Sequence, residues 1–490
     1  MEHYKQPQVI TGQALKNTLW TAADLISYPL VMIAATPFFI KELGAEEYGL
    51  WMLINVVVQV MNALNFGVGD STIKEVSRYQ AVDAKQLIQR SFNRNLSLSV
   101  LLMLCSLGLG MICSAAINHW DWFHIPAFRK EEALTALVLF SWSAGLKFIE
   151  QVFISVFKGL QRFDIASRLT MSSRLSAIIG AFVVVYMGHG ILEIVQVTLC
   201  CNVLNLSIQG FMLYRFVGIK QFLPRFQSLY TLELVKSNGW YWLQSIIALL
   251  GFLSDRLLIG YLGDLKTVGY YSIAALIGSQ IHNILLAFGG FVFPKVSAYN
   301  ALNKSTEHIY YLSRLLIAGL GWTVVIVLLL FGDTLFEYWL GQATYLEAGP
   351  YIRLYLSFIA IILLIIVPFH FINGSDKVST NSLFESILRG SHLIAMYLGF
   401  GLGGVQGLVW GLIITTIINI PFQYYIFHKL IIGFSDIKQA FTPVLPALAI
   451  VFIGQAPTLA FRLLGLIIFV LLAWFIYYKK ANINKFIKIR

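Results

Sequence analysis

Long apolar runs separated by short polar segments organise this chain from one end to the other. They fall at 13–40, 46–69, 95–118, 134–157, 169–188 and 191–214, then at 235–262, 267–294, 312–332, 347–372, 378–400 and 405–428. Two shorter runs follow at 439–456 and 459–478. A helix of about 20 mainly apolar residues crosses the hydrocarbon core of a bilayer. Transmembrane barrels show about ten-residue alternating segments instead. The pattern therefore predicts an all-α polytopic membrane protein of about 14 transmembrane helices.

The polar segments between the runs predict an orientation. One set of loops holds Lys74, Arg78, Lys85, Arg90 and Arg94, then Lys158, Arg162 and Arg168, then Arg215, Lys220, Arg225 and Lys236. The same side receives Lys377, Lys429 and the basic tail from Lys479 to Arg490. The opposite loops hold only Lys41, Arg129, Lys130, Lys266, Arg353 and Arg462. Basic loops stay in the cytoplasm, so both termini are expected there, and an even number of spans is favoured. The first run is long and follows a polar tail, so it reads as a retained span rather than a cleaved signal.

Composition agrees and narrows the chemistry. The chain is 58% hydrophobic and 12% charged, with a mean hydropathy of +0.74. Soluble domains are nearer a quarter charged. A net charge of +11 would suggest nucleic acid in a soluble chain; here loop placement accounts for it, and no nucleic-acid partner is expected. Cys105, Cys113, Cys200 and Cys201 all lie inside apolar runs, without zinc spacing or a disulfide framework. No GxxxxGK[ST] loop, metal cluster or catalytic triad spacing occurs. No cofactor, metal or catalytic residue is expected, the chain reads as a non-enzyme, and ATP is not the direct energy source.

Two echoes suggest an internal repeat. IKELGAEEYGLW (40–51) joins the first two runs and IGYLGDLKTVGYYS (259–272) joins the seventh and eighth, with Leu43–Gly44 and Leu262–Gly263 219 positions apart. VFKGLQRF and FINGSDK end the fourth and tenth, with Gly159 and Gly374 215 apart, an offset that also carries Arg174 onto Arg389. Six spans per copy keep one orientation, which makes a parallel repeat. The expected organisation is an N-terminal six-helix lobe at 1–218, a cytoplasmic linker at 219–232, a second six-helix lobe at 233–430, and two further helices with a basic tail at 431–490. A cleft between the lobes is where such repeat proteins place their sites. The outer loop HWDWFHIPAFRKEE (119–132), with Trp120, Trp122 and Phe123, reads as an interfacial element. Asp70, after Gly67 and Gly69, reads as a helix-end or hinge residue.

Charges inside the spans are the candidates for function. Asp255 and Arg256 stand in a run with no other charge between Lys236 and Asp264. A charge at mid-bilayer costs about 2.5–3.5 kcal/mol on insertion scales, and such residues face a bundle interior or a wet cavity. Arg174, Arg389 and Lys147 are the other span cations singled out, and Asp24 stands alone in the first span with Pro29 beyond it. The competing reading for each is a structural ion pair. Glu385 and Arg389 are spaced i,i+4, and Lys147 and Glu150 i,i+3. Arg174 has no acidic residue one turn away in its own helix, and Asp255 and Arg256 are consecutive, so they point to different faces. His282, His370 and His392 could titrate near neutral pH or simply pack.

The LGAEEYG and LGDLKTVGYY turns, NFGVGDSTIKEVSR after the second span, and DRLLIGYLG in the seventh resemble the polysaccharide repeat-unit flippases, Wzx type, of the multidrug/oligosaccharidyl-lipid/polysaccharide exporter superfamily. The resemblance covers roughly residues 10–430. It implies alternating-access transfer of an undecaprenyl-diphosphate-linked oligosaccharide across the bacterial cytoplasmic (inner) membrane, for O-antigen, capsule or exopolysaccharide assembly. A diphosphate needs cationic partners, best met by the planar fork of arginine. Arg174, Arg256 and Arg389, with Lys147, are then the substrate-binding candidates. In the related multidrug exporters an acidic residue and a proline in the first helix serve ion coupling, so Asp24 is a coupling candidate, and Asp255 another. The implied partners are the lipid-linked substrate, membrane lipids, H+ or Na+ as coupling ion, and polysaccharide polymerase and glycosyltransferases. The alternatives are a multidrug or organic-cation antiporter of the same fold, whose chamber should be acidic and aromatic, and a lipid II flippase.

Overall fold

In the computed structural model, residues 12–62, 65, 67–120, 123–222, 224, 243, 246–247, 249–290, 292, 296, 299, 306–374, 378–427 and 444–474 are described. No strand occurs among them. The helices are α1 (Gly12–Asn62), α2 (Val68–Ala81), α3 (Lys85–Trp120), α4 (Ala127–Gly159), α5 (Phe163–Tyr186) and α6 (Ile191–Met212). They continue with α7 (249–262), α8 (Leu265–Gly289), α9 (Glu307–Leu340), α10 (Gln342–Gly374), α11 (Val378–Phe427), α12 (Val444–Gln455) and α13 (Leu459–Ala473). Among the described residues, nine helices are long and apolar enough to cross a membrane. The protein is an all-helical, multi-pass membrane protein.

Two of those helices each hold two of the expected spans. α1 is broken at Gly44, whose φ of 80° and ψ of 161° lie where only glycine is comfortable. α11 is broken at Gly403 and Gly404. Its two arms fold back into backbone contact: a Cβ on Gly407 would lie 2.1 Å from the Gly399 carbonyl oxygen, and one on Gly411 2.3 Å from that of Ala395. Small residues at every fourth position let helices approach this closely in lipid.

The loop expected between the second and third spans is largely helical. The amphipathic α2 buries Val68, Ser71, Thr72 and Val76, and α3 begins at Lys85, ten residues ahead of the apolar run. Val76 lies where a Cβ on Gly159 would be, 2.7 Å from its own Cβ, so α2 seats directly on the end of α4. Asp70 falls in the first turn of α2, after Gly67 in the left-handed region. In the 119–132 stretch, α3 continues through Trp120, while Trp122 lies outside the described residues.

The chain divides into two compact units, Met1–Trp242 and Leu243–Arg490. In unit 1 the stretch after α6 is docked rather than free. A π-turn at Leu213–Val217 leads to Gly218, and Phe222 sets its ring 5.4 Å from that of Phe92 and 5.8 Å from that of Phe153. Gln89 brackets this segment, donating to the Gln221 carbonyl (2.6 Å) and accepting from the Lys220 amide (3.0 Å).

In unit 2, α10 is the central helix. It is buried nearly all round, from Ile352 to Gly374, and packs against α8, α9, α11 and α12. Helices with apolar residues on every face are buried ones. Pro368 inside α10 has no N–H for the carbonyl of Leu364, four residues earlier. Tyr424 of α11 supplies the missing donor, its hydroxyl 2.6 Å from that oxygen. The last two helices are fastened through Arg462, which was expected in an outer loop but is buried. Its Nη1 donates to the Leu329 carbonyl (3.0 Å) and pairs with Asp333 Oδ2 (2.6 Å). Asp333 also receives the Tyr345 hydroxyl and Arg353.

Candidate functional site

In unit 1, α5 brings two polar groups together at consecutive positions. Arg174 reaches α1, its Nη1 3.3 Å from Asp24 Oδ1, with its guanidinium 5.8 Å from the centre of the Tyr28 ring. The Arg174 side chain keeps 43% of its surface exposed, against 17% for Asp24. The substrate candidate and the coupling candidate are thus one pair. The expectation that Arg174 lacked an acidic neighbour held only within its own helix. The carboxylate comes from α1.

Beside it, Ser173 accepts from Lys147 Nζ (2.9 Å), and Lys147 pairs with Glu150 Oε2 (2.6 Å). Gln209 of α6 donates to the other Glu150 oxygen (3.1 Å). Lys147 and Glu150 share a face of α4 with Ser143, which accepts a close hydrogen bond from Asn202 of α6. Asn205, one turn on, donates to Ser176 of α5 (2.8 Å). A polar seam therefore runs through α4, α5 and α6. Side chains that would be costly in hydrocarbon satisfy one another there.

In unit 2, Asp255 and Arg256 diverge as consecutive helical residues must. Asp255 is 2% exposed, and its Oδ2 accepts the Tyr271 hydroxyl at 2.7 Å while its Oδ1 accepts the Arg256 backbone N–H at 2.7 Å. Arg256 Nε stands 3.9 Å from Asp255 Oδ1, and Arg256 approaches the Tyr355 hydroxyl of α10. Arg389 Nε pairs with Glu385 Oε2 at 3.2 Å, one turn back on α11. Its guanidinium lies 4.8 Å from the centre of the Phe252 ring. Its stem crosses α7 at Gly251, where a Cβ would sit 2.0 Å from Arg389 Cδ. Glycine is what lets the arginine through at that crossing.

All four candidate cations therefore have a carboxylate neighbour. For Lys147 and Arg389 it is the intrahelical partner that spacing suggested; for Arg174 it comes from another helix. Arg174 and Arg389 are 215 positions apart, the offset expected of the repeat. The carboxylates do not follow it, since the position matching Glu385 is Thr170. His392 is wholly buried, its Nε2 2.8 Å from Thr416 Oγ1. Thr416 Oγ1 also lies 2.6 Å from the Leu412 carbonyl.

Among the described residues no cluster of three or more His, Cys, Asp or Glu side chains could hold a metal. Sequence reasoning missed the aromatic and glycine contacts: Tyr28, Phe252, Tyr271, Tyr355 and Gly251. Only Tyr28 left a signal, one turn beyond Asp24 on the same face.

The architecture is that of all-helical polytopic transporters. The lipid II flippase MurJ in an inward closed conformation matches with a TM-score of 0.67, covering 95% of this chain and 99% of that one at 12% identity. An inward-facing multidrug resistance MATE family transporter of the MOP superfamily matches with a TM-score of 0.64, covering 84% and 95% at 14% identity. A "Putative O-antigen transporter" of Shigella flexneri is 19% identical over 387 residues, which are 78% of this chain and 90% of the relative. Residues 14–300 match the polysaccharide biosynthesis protein family, and the chain belongs to that family. The resemblance drawn from the sequence is borne out.

Proposed function

We propose that the chain is a flippase that carries undecaprenyl-diphosphate-linked oligosaccharide repeat units across the bacterial cytoplasmic membrane by alternating access. Its product enters O-antigen, capsule or exopolysaccharide assembly, with polymerase and glycosyltransferases as partners. Both termini are cytoplasmic in this reading. Residues 1–218 and 233–430 act as lobes, 219–232 links them, and 431–490 is an addition. The family membership and the O-antigen relative support the flippase role.

The observation that carries the cargo assignment is the state of the two repeat-related arginines. Arg174 meets its carboxylate through Nη1, and Arg389 through Nε. Each contact uses one edge of the guanidinium fork, leaving another edge for phosphate oxygens. A doubly charged diphosphate competes well with a single carboxylate for such a fork. Arg256 and Lys147 serve the same anionic head. Asp24, once relieved of Arg174, is free to take a proton or cation, so binding and coupling meet at one contact. Asp255 is the corresponding candidate in unit 2. An organic-cation antiporter has no use for arginines held ready in this way. Lipid II carries the same diphosphate and remains the rival distinguished by its headgroup.

Reconstituted vesicles test the reading. The account expects transfer of a prenyl-diphosphate oligosaccharide, with lipid II and ethidium moved poorly. Transfer of ethidium alone would overturn it, and preference for lipid II would reassign the cargo.

A further inference from the structure

Arg168, expected from the sequence as a basic loop residue, lies on α5 near this site. It stands between Asp164 and Arg174, both of which are ion-paired, and its guanidinium stacks over Trp20 of α1 at 4.3 Å from the ring centre. Nearer the start of α5, Lys16 and Arg162 share Asp164, at 3.5 and 3.2 Å. Farther along, Arg174 holds Asp24. Among the described residues no carboxylate lies within ion-pair distance of Arg168, and its side chain is exposed. On α1 the contacts recur every fourth residue, at Lys16, Trp20, Asp24 and Tyr28, so one face of α1 follows α5 rung by rung.

We infer that Arg168 and Trp20 form a second anion station at this end of unit 1, which takes the phosphate of a lipid diphosphate or a free diphosphate before it reaches Arg174. The inference rests on the proposed function only for that order of events. The ring holds the guanidinium by its face and immobilises it without using its N–H groups. The hydrogen-bonding edges are left for oxygen ligands, and arginine's planar fork suits phosphate. Lys16 and Arg162 share the one carboxylate of Asp164, and Arg168 adds a further cation, so this end of unit 1 carries an excess of positive charge. Arg168 lies six positions before Arg174, about 9 Å along the helix axis. A headgroup released by one station is within short reach of the other. A loop cation that only sets topology needs its charge and nothing else. A stacked anion receptor needs the guanidinium and the ring. The two accounts therefore part at Arg168→Lys and Trp20→Leu, which leave the topogenic charge intact.

The experiment is equilibrium binding to the full chain in phosphatidylcholine nanodiscs. Farnesyl diphosphate and inorganic diphosphate serve as separate probes, and monodispersity is checked for each variant. The expected result is about tenfold weaker binding for Arg168→Ala and Trp20→Leu, with a smaller but clear loss for Arg168→Lys. An effect on farnesyl diphosphate alone assigns the station to lipid headgroups; an equal effect on both probes assigns it to diphosphate from either source. Wild-type affinity in Arg168→Ala and Trp20→Leu overturns the station, and if Arg174→Ala still weakens binding the proposed function survives that failure. Binding of inorganic diphosphate alone, still dependent on Arg168, keeps the station and removes the lipid-linked cargo. No binding of either probe by the wild type overturns both.

Discussion

Asp24 and Arg174 are 150 positions apart in the chain and 3.3 Å apart in the structure, Oδ1 to Nη1. Each was singled out for a different task, the acid for coupling and the base for cargo. In the proposed reading their contact links the two tasks, because a diphosphate that takes over the whole Arg174 fork releases Asp24. Arg174 can hold Asp24 or give that edge to a phosphate, and Asp24 is exposed to protonation when the phosphate wins. Asp24→Asn should remove pH dependence of transfer in vesicles while leaving the protein inserted. Unchanged pH dependence in that variant would exclude coupling through this carboxylate.

The Arg389–Glu385 pair is more deeply buried, with side chains 9% and 4% exposed. Removing one member of such a pair strands the other and costs roughly 3–5 kcal/mol. Glu385→Ala should lower the thermal midpoint sharply. Glu385→Leu combined with Arg389→Met should recover most of the stability but not transport. A double variant that transports normally would reduce this pair to a packing device.

Tyr424 and Pro368 make a separable structural test. Tyr424→Phe leaves the Leu364 carbonyl without the donor that Pro368 cannot supply, at a cost of about 1–3 kcal/mol. In a Pro368→Ala background the helix provides its own donor, and the same substitution should cost much less. Equal losses of thermal stability in the two backgrounds would refute the assignment.

Gly251→Ala tests whether the position of Arg389 matters rather than its presence. The new methyl would fall 2.0 Å from Arg389 Cδ, so the arginine stem must move. Transport should drop while expression and insertion stay close to normal. Gly407→Ala, facing the Gly399 backbone at 2.1 Å, should instead disturb folding, because two main chains cannot yield as a side chain can. Normal transport by Gly251→Ala would show that Arg389 tolerates displacement.

Hydrophobic runs revealed nearly all of the helical architecture, because lipid forces each crossing segment to be long, apolar and internally hydrogen-bonded. The breaks at Gly44 and Gly403–Gly404 fall between expected spans for the same reason. The amphipathic α2 was not foreseen: a short helix lying on the end of α4 carries no spanning signal. Intrahelical pairs such as Lys147–Glu150 and Glu385–Arg389 were legible from spacing. Asp24–Arg174 and Asp255–Tyr271 were not, since periodicity orders residues within a helix and says nothing of which helix packs opposite. Gly251 under Arg389 and Trp20 under Arg168 depend on side-chain direction at helix crossings and lay beyond any pattern in one sequence.

The most direct measurement is the rate at which vesicles carrying Arg174→Ala or Arg389→Ala transfer an undecaprenyl-diphosphate oligosaccharide, normalised to inserted protein. The account predicts that each variant is fully inserted and at least about tenfold slower than the wild type. Wild-type rates in both variants would contradict it.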